Sequence, residues 1–234
     1  MRLRVVDFET TGAQGSEVIE AAFVDLERVG VEWRVGLPTA RLFRPCGGVS
    51  VHARAVHHIR DADLHSAEAS SVEAVERFLS QGAAIDAFVA HHAEFERSFL
   101  PSLRSAQWIC TAKSARRAWP QAVGHSNQVL RYWLDLQLDP ALALPAHRAG
   151  PDAYVTAHIL QQLLLTETAD TLIDWTTQPS VVSFGKHKGQ PWSEVPSGYL
   201  HWMMTENDMA DRHRQRAQNE LKRREANNLV EVAQ

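Results

Sequence analysis

Apolar and polar positions along this chain follow two periods in turn, and the order in which they alternate predicts an α/β fold. The run LRVVDFE, residues 3–9, is short and β-branched and reads as a buried strand ending on two acids. Residues 17–45 read as two further strands, with Gly30 and Gly36 as turn punctuation and Pro45 closing the unit, so three strands form a meander. From Ser70 the period changes. SSVEAVERFLSQ sets Val72, Val75 and Leu79 on one helical face, with Ser70 or Ser71 as N-cap. IDAFVAH then reads as a buried strand delivering His91, AEFERSFLPSL as a helix up to Pro101, QWICT as a last strand and TAKSARRAWP as another helix. In DAYVTAHILQQLLL, Ala153, Ala157, Leu160 and Leu164 recur at helical spacing, a stripe that would pack on the sheet. Pro151 suits the first turn of that helix, which places Asp152 at its start and His147 on the loop before it.

The pattern divides the chain into a main domain over 1–170, a linker over 171–180, a small module over 181–204 and a charged helical tail over 205–234. Arg212, Arg214 and Arg216 in the tail are balanced by Asp208, Asp211 and Glu220, which reads as a solvated helix.

Composition narrows the function classes. The 234 residues suffice for one good-sized core with an appendage, at 44% hydrophobic and 22% charged. A formal charge of −4 argues against a protein that coats nucleic acid through bulk positive charge, but not against one that grips a strand end. Cys46 and Cys110 are too few for a disulfide framework, and with no apolar leader or membrane-length run a cytoplasmic protein is expected. No HExxH, paired CxxC or Walker-type glycine loop points to other chemistry.

Three clusters carry the candidate chemistry: Asp7 and Glu9 in DFETTG, Glu96 in HHAEFER, and His147 with Asp152 in HRAGPD. Asp7 and Glu9 are two apart on a strand, so both carboxylates leave the same face, where mutual repulsion favours a cation between them. Phosphodiester hydrolysis needs a nucleophilic water, charge stabilisation at phosphorus and help for the leaving alkoxide. Two divalent cations roughly 3.5–4 Å apart on hard oxygen ligands supply all three. Asp152 completes the ligand set, and His147 is suited to take a proton from the attacking water. Taken singly, each cluster also reads as solvated charge at a turn or helix surface. Phe95, beside Glu96, is expected in the core, and Glu94 is expected to be a surface charge.

These motifs resemble those of the DEDDh 3′→5′ exonucleases. The resemblance implies a ribonuclease H-like fold, a mixed five-stranded sheet flanked by helices, and hydrolysis of nucleic acid, DNA in the branch named next, from its 3′ end by two Mg²⁺ or Mn²⁺ ions. WICTAKSARRAWP, HSNQVLRYWLDLQL and SFGKHKGQPWSEVPSGYLHWMM narrow it to the exodeoxyribonuclease X branch, over nearly all of 3–204. Carried onto these positions, it implies Asp7, Glu9, Glu96 and Asp152 as metal ligands and His147 as general base. It also implies that Thr10, Gly12, Ala13 and Gln14 meet the terminal nucleotide, that His57 and Ile59 of AVHHI lie along it, and that His92 faces substrate. The pattern HNxxFD here reads HHAEFE, so His92 replaces an asparagine and Glu96 an aspartate. The extra methylene moves the carboxylate by on the order of 1 Å, so a slower or Mn²⁺-preferring enzyme is expected. An exoribonuclease of the same superfamily and a catalytically weakened DNA-binding or scaffold protein remain alternatives. Lys186 and Lys188 in the FGKHKG turn are a basic tip that could touch DNA phosphate. Protein partners are not indicated.

Overall fold

The computed structural model describes residues 1–12, 16–177, 181–182, 184–206 and 208–232, with side chains except at 212, 223 and 226–232. They form two compact units, Met1–Thr177 and Gln178–Gln234.

The first unit opens with strands β1 (Arg2–Thr10), β2 (Val18–Val29), β3 (Glu32–Val35) and β4 (Thr39–Arg44), helix α1 (Val51–His57), the two-residue strand β5 (Glu68–Ala69) and helix α2 (Val72–Leu79). It continues with β6 (Ala87–Ala90), α3 (Ala93–Ser98), β7 (Trp108–Cys110), α4 (Thr111–Ala118), α5 (Asn127–Trp133), α6 (Pro140–Ala143), α7 (Ala149–Leu163) and α8 (Ala169–Thr177). The sheet runs β5-β4-β2-β1-β6-β7, with β3 also on β2. β1 pairs antiparallel with β2 and parallel with β6, which pairs parallel with β7. The expected five strands are thus β4-β2-β1-β6-β7, and β3 and β5 are additions.

Gly36 explains the first addition. The Gly36 N–H donates to the Asp25 carbonyl at 2.9 Å, and a Cβ on Gly36 would stand 3.1 Å from that oxygen. The third meander strand is therefore broken: β3 pairs with Leu26–Val29 of β2, and β4 with Glu20–Phe23.

The β1 alternation sends Leu3 and Val5 to a core shared with Ala153, Ala157 and Leu160 of α7, and Val6 and Phe8 to a second core with Phe78, Phe88 and Trp108. Asp7 and Glu9 continue the α7-facing row past the end of the first core. In α2 the N-cap is Ser71, whose Oγ accepts from the Ala74 N–H at 3.1 Å. Its buried positions are Ala74, Val75, Phe78 and Leu79, while Val72 in the first turn is exposed.

Two boundaries differ from those read in the sequence. Most of 171–180, expected as linker, is the body of α8, whose Leu172 and Trp175 pack into the α7 core. In the second unit, α9 (Ser197–Thr205) and α10 (Asp211–Val232) pack together. Ala217 and Leu221 of α10 join Val182, Trp192, Val195, Leu200 and Met203 in one core. The expected solvated tail is a packing partner: sparse apolar positions in a charged sequence still cover one small face. Among the described residues no helix is long and apolar enough to cross a membrane.

Candidate active site

β1 delivers Asp7 and Glu9 on the face that α7 covers, with Phe8 buried on the other. The β1–β2 register slips between Glu9 and Thr10, a bulge at the residue where the strand meets the site. Beyond it the chain turns back. Thr11 N–H donates to Glu17 O at 3.0 Å, Ser50 N–H donates to Thr11 O at 3.2 Å, and Gly12 adopts φ +77°. A Cβ on Gly12 would lie 2.6 Å from Ala53 Cβ, so only glycine fits.

α7 brings Asp152 in its first turn. One carboxylate oxygen of each of Asp7, Glu9 and Asp152 lies within 4.8 Å of the others. Asp152 Oδ2 accepts the His147 backbone N–H at 2.8 Å and Oδ1 accepts Gln128 Nε2–H at 3.0 Å. His147 is exposed and left-handed, at φ +60°. Parallel pairing of β6 with β1 carries the following chain across the same sheet end, and α3 then buries Glu96 to 4% exposure. Among the described residues its Oε2 has no hydrogen-bond partner. A buried orphan carboxylate oxygen is costly unless something positive meets it.

Electrostatics agree. Burial first, then the charges of Asp152, Glu96, Glu9 and Glu20, hold the Asp7 carboxyl well above the usual carboxylate range. Glu9 is pushed up to about 8 by burial, then by Asp152 and Glu20, against a lowering from Arg148. Burial pushes Glu96 up to about 8, and it also raises Asp152. Four crowded acids that resist ionising alone are a natural cation site, and a divalent pair fits their all-oxygen donor set.

The other expected residues fall in different places. Thr10 and Gly12 line the turn beside Glu9, whereas Ala13 and Gln14 lie outside the described residues. His57 is 2% exposed, its Nδ1 accepting Ile59 N–H at 3.0 Å and its Nε2 meeting Thr10 O at 3.3 Å. Ile59 is buried with Val49, Ala53 and Leu64, so this pair backs the Thr10 turn from behind. His92 is exposed at the start of α3, and Glu94 is a surface charge bound to Lys113 at 2.6 Å. Phe95, expected in the core, is 44% exposed and packs edge-on with Phe99, centroids 5.1 Å apart. α3 has six residues whose inward positions are Ala93 and Glu96, so the intervening ring faces out. Lys186 and Lys188 are exposed in the second unit.

Sequence reasoning missed the support. Buried Glu20 of β2 takes Arg148 Nε–H at 2.9 Å and Nη2–H at 2.6 Å, and the Ala149 N–H at 3.0 Å. This bidentate pair ties the 147–149 loop to β2. An acid inside the apolar run VIEAAFV was the available signal. Asn127, which donates to Asp152 O at 3.1 Å and Thr156 Oγ1 at 2.7 Å, had none.

No protein-family model matches the chain. It is 35% identical over 214 residues to exodeoxyribonuclease 10 of Escherichia coli strain K12, covering 88% of this chain and 92% of that one. The solved structure of exonuclease X in complex with 5′ overhanging duplex DNA is 33% identical, with a TM-score of 0.62, covering 74% of this chain and 99% of that one. The nuclease domain of 3′hExo, a DEDDh family member bound to rAMP, has a TM-score of 0.50 at 15% identity, over 70% of this chain and 92% of that one, and shares the fold.

Proposed function

This chain belongs to the exodeoxyribonuclease X branch of the DEDDh exonucleases and is a nuclease, and on that premise we propose that it removes mononucleotides from the 3′ ends of DNA in repair or end processing. The observation that carries the reading is the group of three carboxylates within 4.8 Å, joined by the orphaned Glu96 oxygen. Asp7, Glu9, Glu96 and Asp152 would hold two divalent cations, Mg²⁺ or Mn²⁺. Bound there, such ions supply an activated water and charge stabilisation at phosphorus.

The chain's own residues do the rest. His147 stands in the open at the edge of the acid cluster, where its ring takes the proton released by the attacking water. Its backbone N–H holds Asp152 Oδ2 at the same time, so base and ligand are positioned by one loop. Glu20 and Arg148 clamp that loop. The Thr10–Gly12 turn, Ala13 and Gln14 that follow it in sequence, and exposed His92 would receive the terminal nucleotide. His57 and Ile59 hold the turn rather than touch the base. Both cysteines are free, as suits a cytoplasmic enzyme.

The test is polarity and sugar. Single-stranded DNA, duplex DNA and RNA, each labelled at the 5′ end in one sample and the 3′ end in another, would be followed with Mg²⁺ and with Mn²⁺. A 5′ label should pass through a descending ladder, and a 3′ label should leave at once as mononucleotide, on DNA. The reverse pattern, internal cuts, or a preference for RNA would overturn the proposal.

A further inference from the structure

In the second unit the FGKHKG turn and α9 lean on each other through a file of aromatic rings. His187 is buried, with its Nδ1–H donating to Gln190 Oε1 at 2.6 Å and its ring edge-on to Tyr199, centroids 4.5 Å apart. Tyr199 lies 5.0 Å from Trp202, nearly one helical turn on, at an interplanar angle of 35°. Gly185 makes room for the file: its φ is +63°, and a Cβ there would stand 3.0 Å from the Tyr199 hydroxyl.

Drawing His187 inward turns its neighbours outward. Lys186 and Lys188 are exposed, and among the described residues neither is paired with a carboxylate. Two arginines of the unit are engaged within it. Arg214 binds Asp211 and the Glu206 carbonyl, and Arg224 binds Glu220 and the carbonyls of Trp192, Ser193 and Val195. At the far end the file is open, because Trp202 is 45% exposed whereas Trp192 is buried in the core. The unit carries eight Lys and Arg against seven Asp and Glu in a chain that is net acidic. Two exposed ammonium groups flanking one end of the file and an open indole at its other end match what a flexible polyanion with planar bases requires.

We infer that this face is a second binding site for single-stranded DNA, with Lys186 and Lys188 on phosphates and a base stacked on Trp202. The choice of DNA rests on the proposed function. Tethered in the same chain as the nuclease unit, the site raises the local concentration of a long strand and does nothing for a substrate too short to reach both.

The full-length protein decides it. Binding of a fluorescent 20-mer oligothymidylate would be measured in a chelator, which stops hydrolysis, for wild type, K186E/K188E, W202A and W202F. In parallel, hydrolysis of thymidine 5′-p-nitrophenyl phosphate would be measured with Mn²⁺. K186E/K188E and W202A should each weaken 20-mer binding by roughly tenfold, W202F should restore most of it, and hydrolysis of the small ester should not change. Replacing both lysines by glutamine should lower the slope of log affinity against log salt by about 1.4. Binding within twofold of wild type in K186E/K188E or in W202A, or a W202F variant as weak as W202A, overturns the inference, as does a loss seen with oligouridylate but not oligothymidylate. A wild type that binds the 20-mer through these residues yet leaves the small ester intact would sink the catalytic reading and keep this one.

Discussion

Glu96 shows how one buried side chain links stability to chemistry. With no cation beside it, burial pushes its carboxyl up to about 8, and Glu9 reaches about 8 for the same first reason. In the unfolded chain both titrate near 4.3. Between those values the folded protein binds more protons than the unfolded, so stability falls as pH rises from about 4.5 to about 8. A cation must displace the same protons, so its apparent affinity rises with pH. The chelated protein should therefore melt progressively lower from pH 6 to pH 8.5, and Mg²⁺ or Mn²⁺ should restore most at the alkaline end. Glu96→Gln should flatten the fall, raise the chelated melting temperature at pH 8 and cut activity by at least roughly 100-fold, whereas Glu96→Asp should stay within about tenfold of wild type with Mg²⁺. A Glu96→Gln melting curve with the wild-type pH slope would remove Glu96 from this account.

At the scale of elements, β1, α3 and α7 carry the acids, and the join between β2 and α7 sets their spacing. Glu20, the third residue of β2, reaches to the residue that starts α7, taking two hydrogen bonds from Arg148 and one from Ala149. Glu20→Ala or Arg148→Ala should lower mononucleotide release by roughly 10–100-fold with a matching loss of cation affinity, as supporting shells of metal sites generally do. Equal activity in both variants, measured at saturating Mn²⁺ and at limiting Mn²⁺, would show the clamp to be dispensable. The elements themselves were legible because their periods are strong: the β-branched run into DFE, and the Ala153, Ala157, Leu160 stripe of α7. Motif residues were legible because acids at spacing two on a strand share a face. Glu20 left only the trace of an acid in an apolar run and Gln128 left none, since their roles exist only where β2, α5 and α7 meet. Phe95 misled because aromatic residues favour cores, while the shortness of α3 fixed Ala93 and Glu96 as its inward positions.

The whole molecule is two compact units, and the tail that looked solvated closes the core of the second. Its apolar contribution is small enough that charge dominates the sequence pattern, and only the partner surfaces of Val182, Leu200 and Met203 reveal it. Leu221→Ala should cost about 2–3 kcal/mol in that unit and lower one of two melting transitions in calorimetry, leaving the other at its wild-type temperature. A single transition that shifts as a whole would contradict independent cores.

Mononucleotide release from single-stranded DNA reports on whether Asp7, Glu9, Glu96 and Asp152 with His147 form the site of a DNA-hydrolysing nuclease. Wild type with Mg²⁺ or Mn²⁺ should release mononucleotides steadily and stop in chelator. Asp7→Asn and His147→Ala, each folded by circular dichroism, should be slower by at least roughly 100-fold. Release at the wild-type rate from both variants, or no release by wild type with either metal, would contradict the account.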